Sequence, residues 1–157
     1  MTPPTPLLKS HSDTFPPAPP YDLDDPVAIT SCDWGAFDEL TEMGNHWSRP
    51  GWSAQTRAYY WLLAITDPLF VAQALYCQEA LSHRDGFDCI APDGYHLTLG
   101  RIGLTEEVTS HDLERLIGTV EKGAPSSFDL TALPLTGSRG ALRYSVAPWT
   151  PIVALHQ

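Results

Sequence analysis

His96 and Thr98 stand two residues apart in the run Tyr95-His96-Leu97-Thr98-Leu99. The run reads as a strand, and strand side chains alternate between faces. His96 and Thr98 then share one face, while Leu97 and Leu99 turn into a core. An imidazole can take or give a proton near neutral pH. A hydroxyl beside it can hydrogen-bond a non-bridging phosphate oxygen, so the pair suits phosphoester chemistry. A histidine kept for packing and a threonine kept for strand propensity would spell the same short pattern. Gly94 before the strand and Gly100 within it leave room for a ligand to approach the backbone.

Other residues fit chemistry less well. His46-Trp47-Ser48 repeats the spacing but sits in a Pro/Gly loop, with Pro50-Gly51 as a turn and Trp47 and Trp52 as pins to the core. His11-Ser12-Asp13 falls in a proline-rich stretch. His83 reads as loop surface, His111 as a helix start, and His156 is followed only by Gln157. Period 2 places Arg101 on the face opposite His96 and Thr98 unless the strand bulges. Arg139 and Arg143 lie at or after a hairpin turn and read as solvated. Tyr60 and Trp61 fit a core, with one ring able to meet a base.

The elements that would position the pair follow from spacing. Tyr59-Tyr60-Trp61-Leu62-Leu63-Ala64-Ile65 is a continuous apolar run, the pattern of a strand buried on both faces. Asp67-Pro68 then starts a helix, with Phe70, Ala74, Cys77 and Leu81 along one stripe. The strand from Tyr95 to Arg101 follows. Thr109 or Ser110 caps the next helix, whose stripe is Leu113, Leu116, Ile117 and Val120, and Gly123 with Pro125 stops it. Phe128 and Leu130 mark a strand, and Leu142, Tyr144 and Val146 another after the turn Gly137-Ser138-Arg139-Gly140. A short helix from about Asp33 to Met43, capped by Asp33, precedes them all. The fold class is α+β.

From Arg57 to Gln157, about two thirds of the chain, this order resembles the 2'-5' RNA ligase-like two-histidine phosphoesterases. The resemblance rests on the Tyr59–Ile65 run, the helix after it, Tyr95-His-Leu-Thr-Leu-Gly-Arg-Ile-Gly103, the next helix, Phe128-Asp-Leu130, and Val146-Ala-Pro-Trp-Thr-Pro151. It implies a bilobal α+β fold, each lobe an antiparallel sheet with packed helices and one H-x-T/S motif facing a shared cleft. It implies that His96 is one acid/base and Thr98 a phosphate hydrogen-bond donor. The substrate would be a nucleotide or RNA-end phosphodiester, a 2',3'-cyclic phosphate or a 2'-5' linkage, with no metal or other cofactor. No second H-x-T/S follows the first. Thr150-Pro151 is a helix-start signal with fewer than two turns after it, so the second lobe is expected to be largely missing through truncation. One proton-transfer group where the mechanism wants two predicts weak or absent catalysis.

Composition narrows the rest. The net charge of -10 is uneven, with eight acids against Lys9 in residues 1–45 and eleven acids against eight bases afterwards. No long basic face offers itself to a nucleic-acid backbone. Eight of the fifteen prolines fall within residues 1–28, so this stretch is expected to be a disordered acidic tail preceding an incomplete phosphoesterase-like domain over 29–157. The cysteines Cys32, Cys77 and Cys89 form no C-x-x-C pair and read as reduced thiols. No signal peptide is expected, because the first residues lack a basic start followed by an apolar run, and no apolar run approaches the roughly 20 residues that span a bilayer. A cytoplasmic protein without membrane contact is expected. Two alternatives stand beside the enzyme. One is a non-catalytic nucleotide- or phosphate-binding half-domain, perfected as a homodimer whose two copies of His96 restore the cleft. The other is an interaction protein that uses its proline-rich tail.

Overall fold

The computed structural model describes residues 14–48 and 51–156. In order these form α1 (Pro26–Asp38), β1 (Ala58–Ala64), α2 (Pro68–Leu81), a 3-10 turn (Pro92–Gly94), β2 (His96–Leu104), α3 (Ser110–Gly123), β3 (Thr131–Gly137), β4 (Leu142–Ala147) and α4 (Thr150–Ala154). The class is α+β as expected. The described strands form two separate antiparallel pairs, β1 with β2 and β3 with β4. The chain divides accordingly. Arg57–Arg115 is one compact unit, and the residues up to Thr56 join those from Leu116 onward in the other. No described helix is long and apolar enough to cross a membrane.

In the unit that holds β3 and β4, Asp25-Pro26 starts α1, with the Asp25 carboxylate accepting from the Val27 and Ala28 amides at 3.1 Å each. A carboxylate cap followed by proline at the first helical position is a strong local start. The helix expected from Asp33 to Met43 therefore begins earlier, and Asp33 lies inside it instead of capping it. The tail boundary expected after residue 28 falls within α1. α1 lies on the β3–β4 sheet, where Ile29, Leu133 and Ala147 form a small core flanked by Trp149. Gly137 is the one glycine here that close packing demands, because a Cβ would enter the Phe37 ring. The β3–β4 ladder is irregular between Ala132 and Leu135, the stretch holding Pro134, which has no amide to donate. Phe128 and Leu130, expected on a strand, precede β3.

Part of the acidic stretch has structural work in the same unit. The Asp22 carboxylate accepts from the Asp24 and Asp25 amides. Asp24 grips both the amide and the hydroxyl of Thr150, at 2.8 and 2.7 Å. The Trp149 amide donates to the Leu23 carbonyl at 2.8 Å. Thr150-Pro151 does start a helix, and its first amide is capped from a segment far away in sequence.

In the other unit, Asp67 caps α2 by accepting from the Phe70 amide at 2.8 Å, with Pro68 next to it. Gln78 on α2 holds the following loop: its Oε1 accepts from the Ile90 amide, and its Nε2 donates to the Ile90 carbonyl and the Tyr95 hydroxyl. The Phe70 and Tyr95 rings meet edge to face with centroids 6.1 Å apart. Ala74 and Leu99 are the buried apolar residues of this unit. β1 is thus not buried on both faces. Trp61 and Leu63 are half-buried, while Tyr60, Leu62 and Ala64 face outward. A two-stranded sheet needs a layer on each side to bury both faces, and neither face of this one is fully covered. α3 begins with a reciprocal cap: Thr109 Oγ1 accepts from the Asp112 amide, and Asp112 accepts from the Thr109 amide and hydroxyl. The division between the units falls inside α3, after Arg115; of its expected stripe, Leu113, Leu116 and Val120 are half-buried and Ile117 is exposed.

Candidate functional site

His96 is the first residue of β2, and its ring is fixed before any ligand arrives. Nδ1 lies 2.7 Å from the Gly94 carbonyl oxygen. A carbonyl can only accept, so Nδ1 carries the proton and donates. The remaining nitrogen, Nε2, then holds the lone pair in the neutral ring and is the atom able to act as base, or as acid once protonated. Gly94 is set by the 3-10 turn, where its amide donates to the Ala91 carbonyl at 2.8 Å. A Cβ there would press on the Ile90 side chain at 3.0 Å. The loop that Gln78 holds therefore also sets the carbonyl that orients His96.

β2 runs antiparallel to β1, with His96 opposite Ala64 and Thr98 opposite Leu62. His96 and Thr98 are both exposed, and Leu99 is buried. The shared face read from the H-x-T spacing is present. The register then shifts: Trp61 lies opposite Gly100, and Tyr60 opposite Arg101. Leu99 is the extra residue of a β-bulge. Direct cross-strand partners share a face, and Tyr60, Leu62 and Ala64 alternate regularly along β1. Arg101 therefore lies on the same face as His96 and Thr98. Strict period 2 put it on the opposite face, and the bulge reverses that. Gly100 was the available signal, since a glycine inside a strand pattern often marks a bulge.

Tyr95 precedes this face without joining it. Burial, and after it the neighbouring Cys89, push its phenol above the ordinary value, while the Gln78 hydrogen bond pulls the other way. The ring stays neutral and structural.

The remaining sequence candidates lie elsewhere. His46 belongs to the other unit, where its ring meets Trp47 edge to face at 5.4 Å. Trp47 is 78% exposed, so it does not pin its loop to a core. Trp52 is half-buried. His83, His111 and His156 are exposed. His11, Ser12 and Asp13 lie outside the described residues, as do Arg49, Pro50 and Gln157.

The expectation of solvated arginines fails at Arg143. Its Nη2 donates to the Asp33 Oδ1 at 2.9 Å and to the Phe15 carbonyl at 3.3 Å, and Asp33 Oδ2 accepts from the Ser145 hydroxyl. Asp33 is 2% exposed. A buried carboxylate of this kind must be paired. Arg139 donates to the Thr14 carbonyl at 3.3 Å, and both guanidinium groups lie near the Phe15 ring. Burial, and then the Asp33 charge, push the Cys32 thiol up, against a smaller opposing pull from Arg143. This cluster ties Phe15 to β4 through Arg143 and Thr14 to the preceding turn through Arg139. Its sequence signal was weak, since Asp33 also looked like a cap. Among the described residues, no group of three or more His, Cys, Asp or Glu side chains is placed to hold a metal ion.

Comparison with family models, with curated proteins and with solved structures returned no match to this chain.

Proposed function

We propose that the outer face of β1–β2 is a phosphoester site and that the chain acts on a nucleotide or RNA-end phosphodiester, a 2',3'-cyclic phosphate or a 2'-5' linkage. The observation that supports this best is the fixed imidazole: Nδ1 is engaged by Gly94, Nε2 is left for substrate, and Thr98 stands two residues along the same exposed face. As base, Nε2 takes the proton of an attacking oxygen. As acid, it returns one to a leaving oxygen. Thr98 donates to a non-bridging oxygen and holds phosphorus beside the ring. In the two-histidine scheme that the sequence resembles, a second imidazole on the opposite side of phosphorus completes the transfer, within a bilobal fold.

His96 is the only histidine on β1 or β2. This favours a second reading, a phosphate-binding half-site that turns substrate over only when another imidazole is brought to it, as in a homodimer. Hydrolysis of adenosine 2',3'-cyclic monophosphate by the full chain and by His96→Ala separates the readings. Catalysis by His96 predicts a loss of about 10²–10⁴-fold in kcat, with nucleotide affinity changed by no more than a few-fold. Equal rates remove His96 from the mechanism. Nucleotide binding without turnover in the unsubstituted chain leaves only the second reading.

A further inference from the structure

We infer that the groove at the C-terminal end of α1 docks a basic peptide segment of a partner protein, which seats an arginine side chain against Trp34. The groove lies wholly within the unit of α1, β3 and β4, so it stands whether or not the β2 face binds phosphate. Shape, charge and the chemistry of the lining carry the inference.

The chain folds back after α1, where the Gly44 amide donates to the Arg139 carbonyl at 2.7 Å. Trp34, Phe37, Leu40 and Met43 line a groove of about 300 Å³, together with Asp38, Thr41 and Glu42. Sites for whole ligands start at roughly this volume, so the groove suits one long side chain better than a cofactor. Trp34 and Phe37, three residues apart on α1, meet edge to face with centroids 5.9 Å apart. The Phe37 ring is fixed against Gly137, where a Cβ would overlap it. Trp34 is 46% exposed, so its ring is open to a partner.

The charge of the groove has one sign. The last turn of α1 holds no basic residue. Asp38, the C-cap Glu39 and Glu42 bring three acids to the end of the helix where backbone carbonyls already concentrate negative charge. Acids at that end work against the helix, and a cation relieves them. Among the described residues, no hydrogen bond or ion pair engages the Asp38 or Glu42 carboxylate. Arg139 and Arg143, the described arginines of this unit, are held at Thr14, Phe15 and Asp33. Charge complementarity therefore calls for a base from another chain.

Arginine fits the lining better than lysine. A guanidinium is planar and weakly hydrated, stacks on an indole face and offers a fork of donors to a carboxylate, whereas an ammonium is a point charge. Asp38 follows Trp34 by four residues and so neighbours it on the helix surface. A guanidinium stacked on Trp34 meets that carboxylate, while its methylene stem lies along Leu40 and Met43. A purely apolar occupant would leave the acids unneutralised, and an anion would be repelled.

The test is a calorimetric titration of the full chain with an acetylated, amidated peptide, Gly-Ser-Arg-Gly-Ser-Arg-Gly-Ser. The same peptide is made with citrulline, a neutral side chain of nearly the same shape, and with lysine in place of arginine. The arginine peptide should bind about tenfold or more tightly than the citrulline peptide, and a few-fold more tightly than the lysine peptide. Trp34→Ala should lower its affinity by about tenfold, and so should Asp38→Asn combined with Glu42→Gln. Asp85→Asn combined with Asp88→Asn removes the same charge from exposed positions in the other unit, and should change affinity less than twofold. The groove acids oppose the helix dipole, so amide exchange in α1 should not quicken when they are neutralised, which separates lost binding from lost fold. No binding of the arginine peptide, or equal binding of the citrulline peptide, overturns the site. Unchanged affinity in Trp34→Ala overturns it too. Equal losses in the two acid pairs reduce it to a net-charge effect and overturn it as well. Displacement of the peptide by an equal concentration of tetramethylammonium would mean that any organic cation fills the groove, and would overturn the peptide partner.

Discussion

The β3–β4 sheet draws Thr136, Arg143 and Ser145 inward, and the β1–β2 sheet turns its own polar residues outward. On β4, Ser145 is buried and Arg143 reaches a buried carboxylate on α1. On β2, His96, Thr98 and Arg101 share an exposed face, and only Leu99 is buried. Both sheets are antiparallel pairs of similar length. The difference lies in what covers them. α1 lies on β3–β4, so a polar group there must find a protein partner or be excluded. The outer face of β1–β2 has no such layer, so His96 and Thr98 stay exposed on it. A charged residue under a helix is thus read here as architecture, and a charged residue on an open strand face as a site.

The largest expected effect that would break this contrast is on the buried pair. Asp33→Ala leaves the Arg143 guanidinium, 33% exposed, and the buried Ser145 hydroxyl without their carboxylate partner. Loss of a partner from a buried pair costs about 3–5 kcal/mol, and this case should fall near 3 kcal/mol because Arg143 keeps some solvent. Native-state hydrogen exchange of the β3 and β4 amides measures it. The double substitution Asp33→Leu with Arg143→Met should recover most of the loss. Little change in the single variant would mean that the cluster is not architectural.

Next in size is Leu99→Ala. A buried leucine truncated to alanine costs about 2–5 kcal/mol, least where the site can collapse. In a unit with so few buried residues the cost should be about 2 kcal/mol. It should appear in the β1 and β2 amides and leave those of β3 and β4 unchanged. Equal loss in both sheets would erase the separation of the two units.

The smallest effect is on α3. Hydrogen bonds from the Thr109 hydroxyl and then its amide hold the Asp112 carboxyl below its usual value near 3.8. A folded value below the unfolded one means that this contribution is complete above the unfolded value. It is lost as pH falls through the folded value. Amide exchange in the first turn of α3 should therefore quicken on acidification below about pH 4. Asp112→Asn should flatten that dependence while leaving both sheets unaffected.

The features legible in the sequence were those whose cause is local. Asp67-Pro68 and the Thr109 cap involve side chains bonding to amides within the same turn, so spacing alone reveals them. The His96-Thr98 face follows from the period of a strand. The start of α1 was equally local, but Asp25-Pro26 stood among so many prolines that the stretch read as a tail. The bonds from Asp24 to Thr150 and from Arg143 to Phe15 link residues more than a hundred positions apart, and no local pattern announces them.

By itself, then, the sequence determined the α+β class, most helix starts and the pairing of an imidazole with a hydroxyl on one strand face. These depend on backbone geometry and on side chains a few residues apart. Only the tertiary structure decided that the strands form two sheets, that Arg143 is bound to a buried carboxylate and that Arg101 crosses to the face of His96. The first two depend on contacts between distant segments. The third depends on a single residue, Leu99, left unpaired when β2 meets β1, and a residue is extra only with respect to its partner strand.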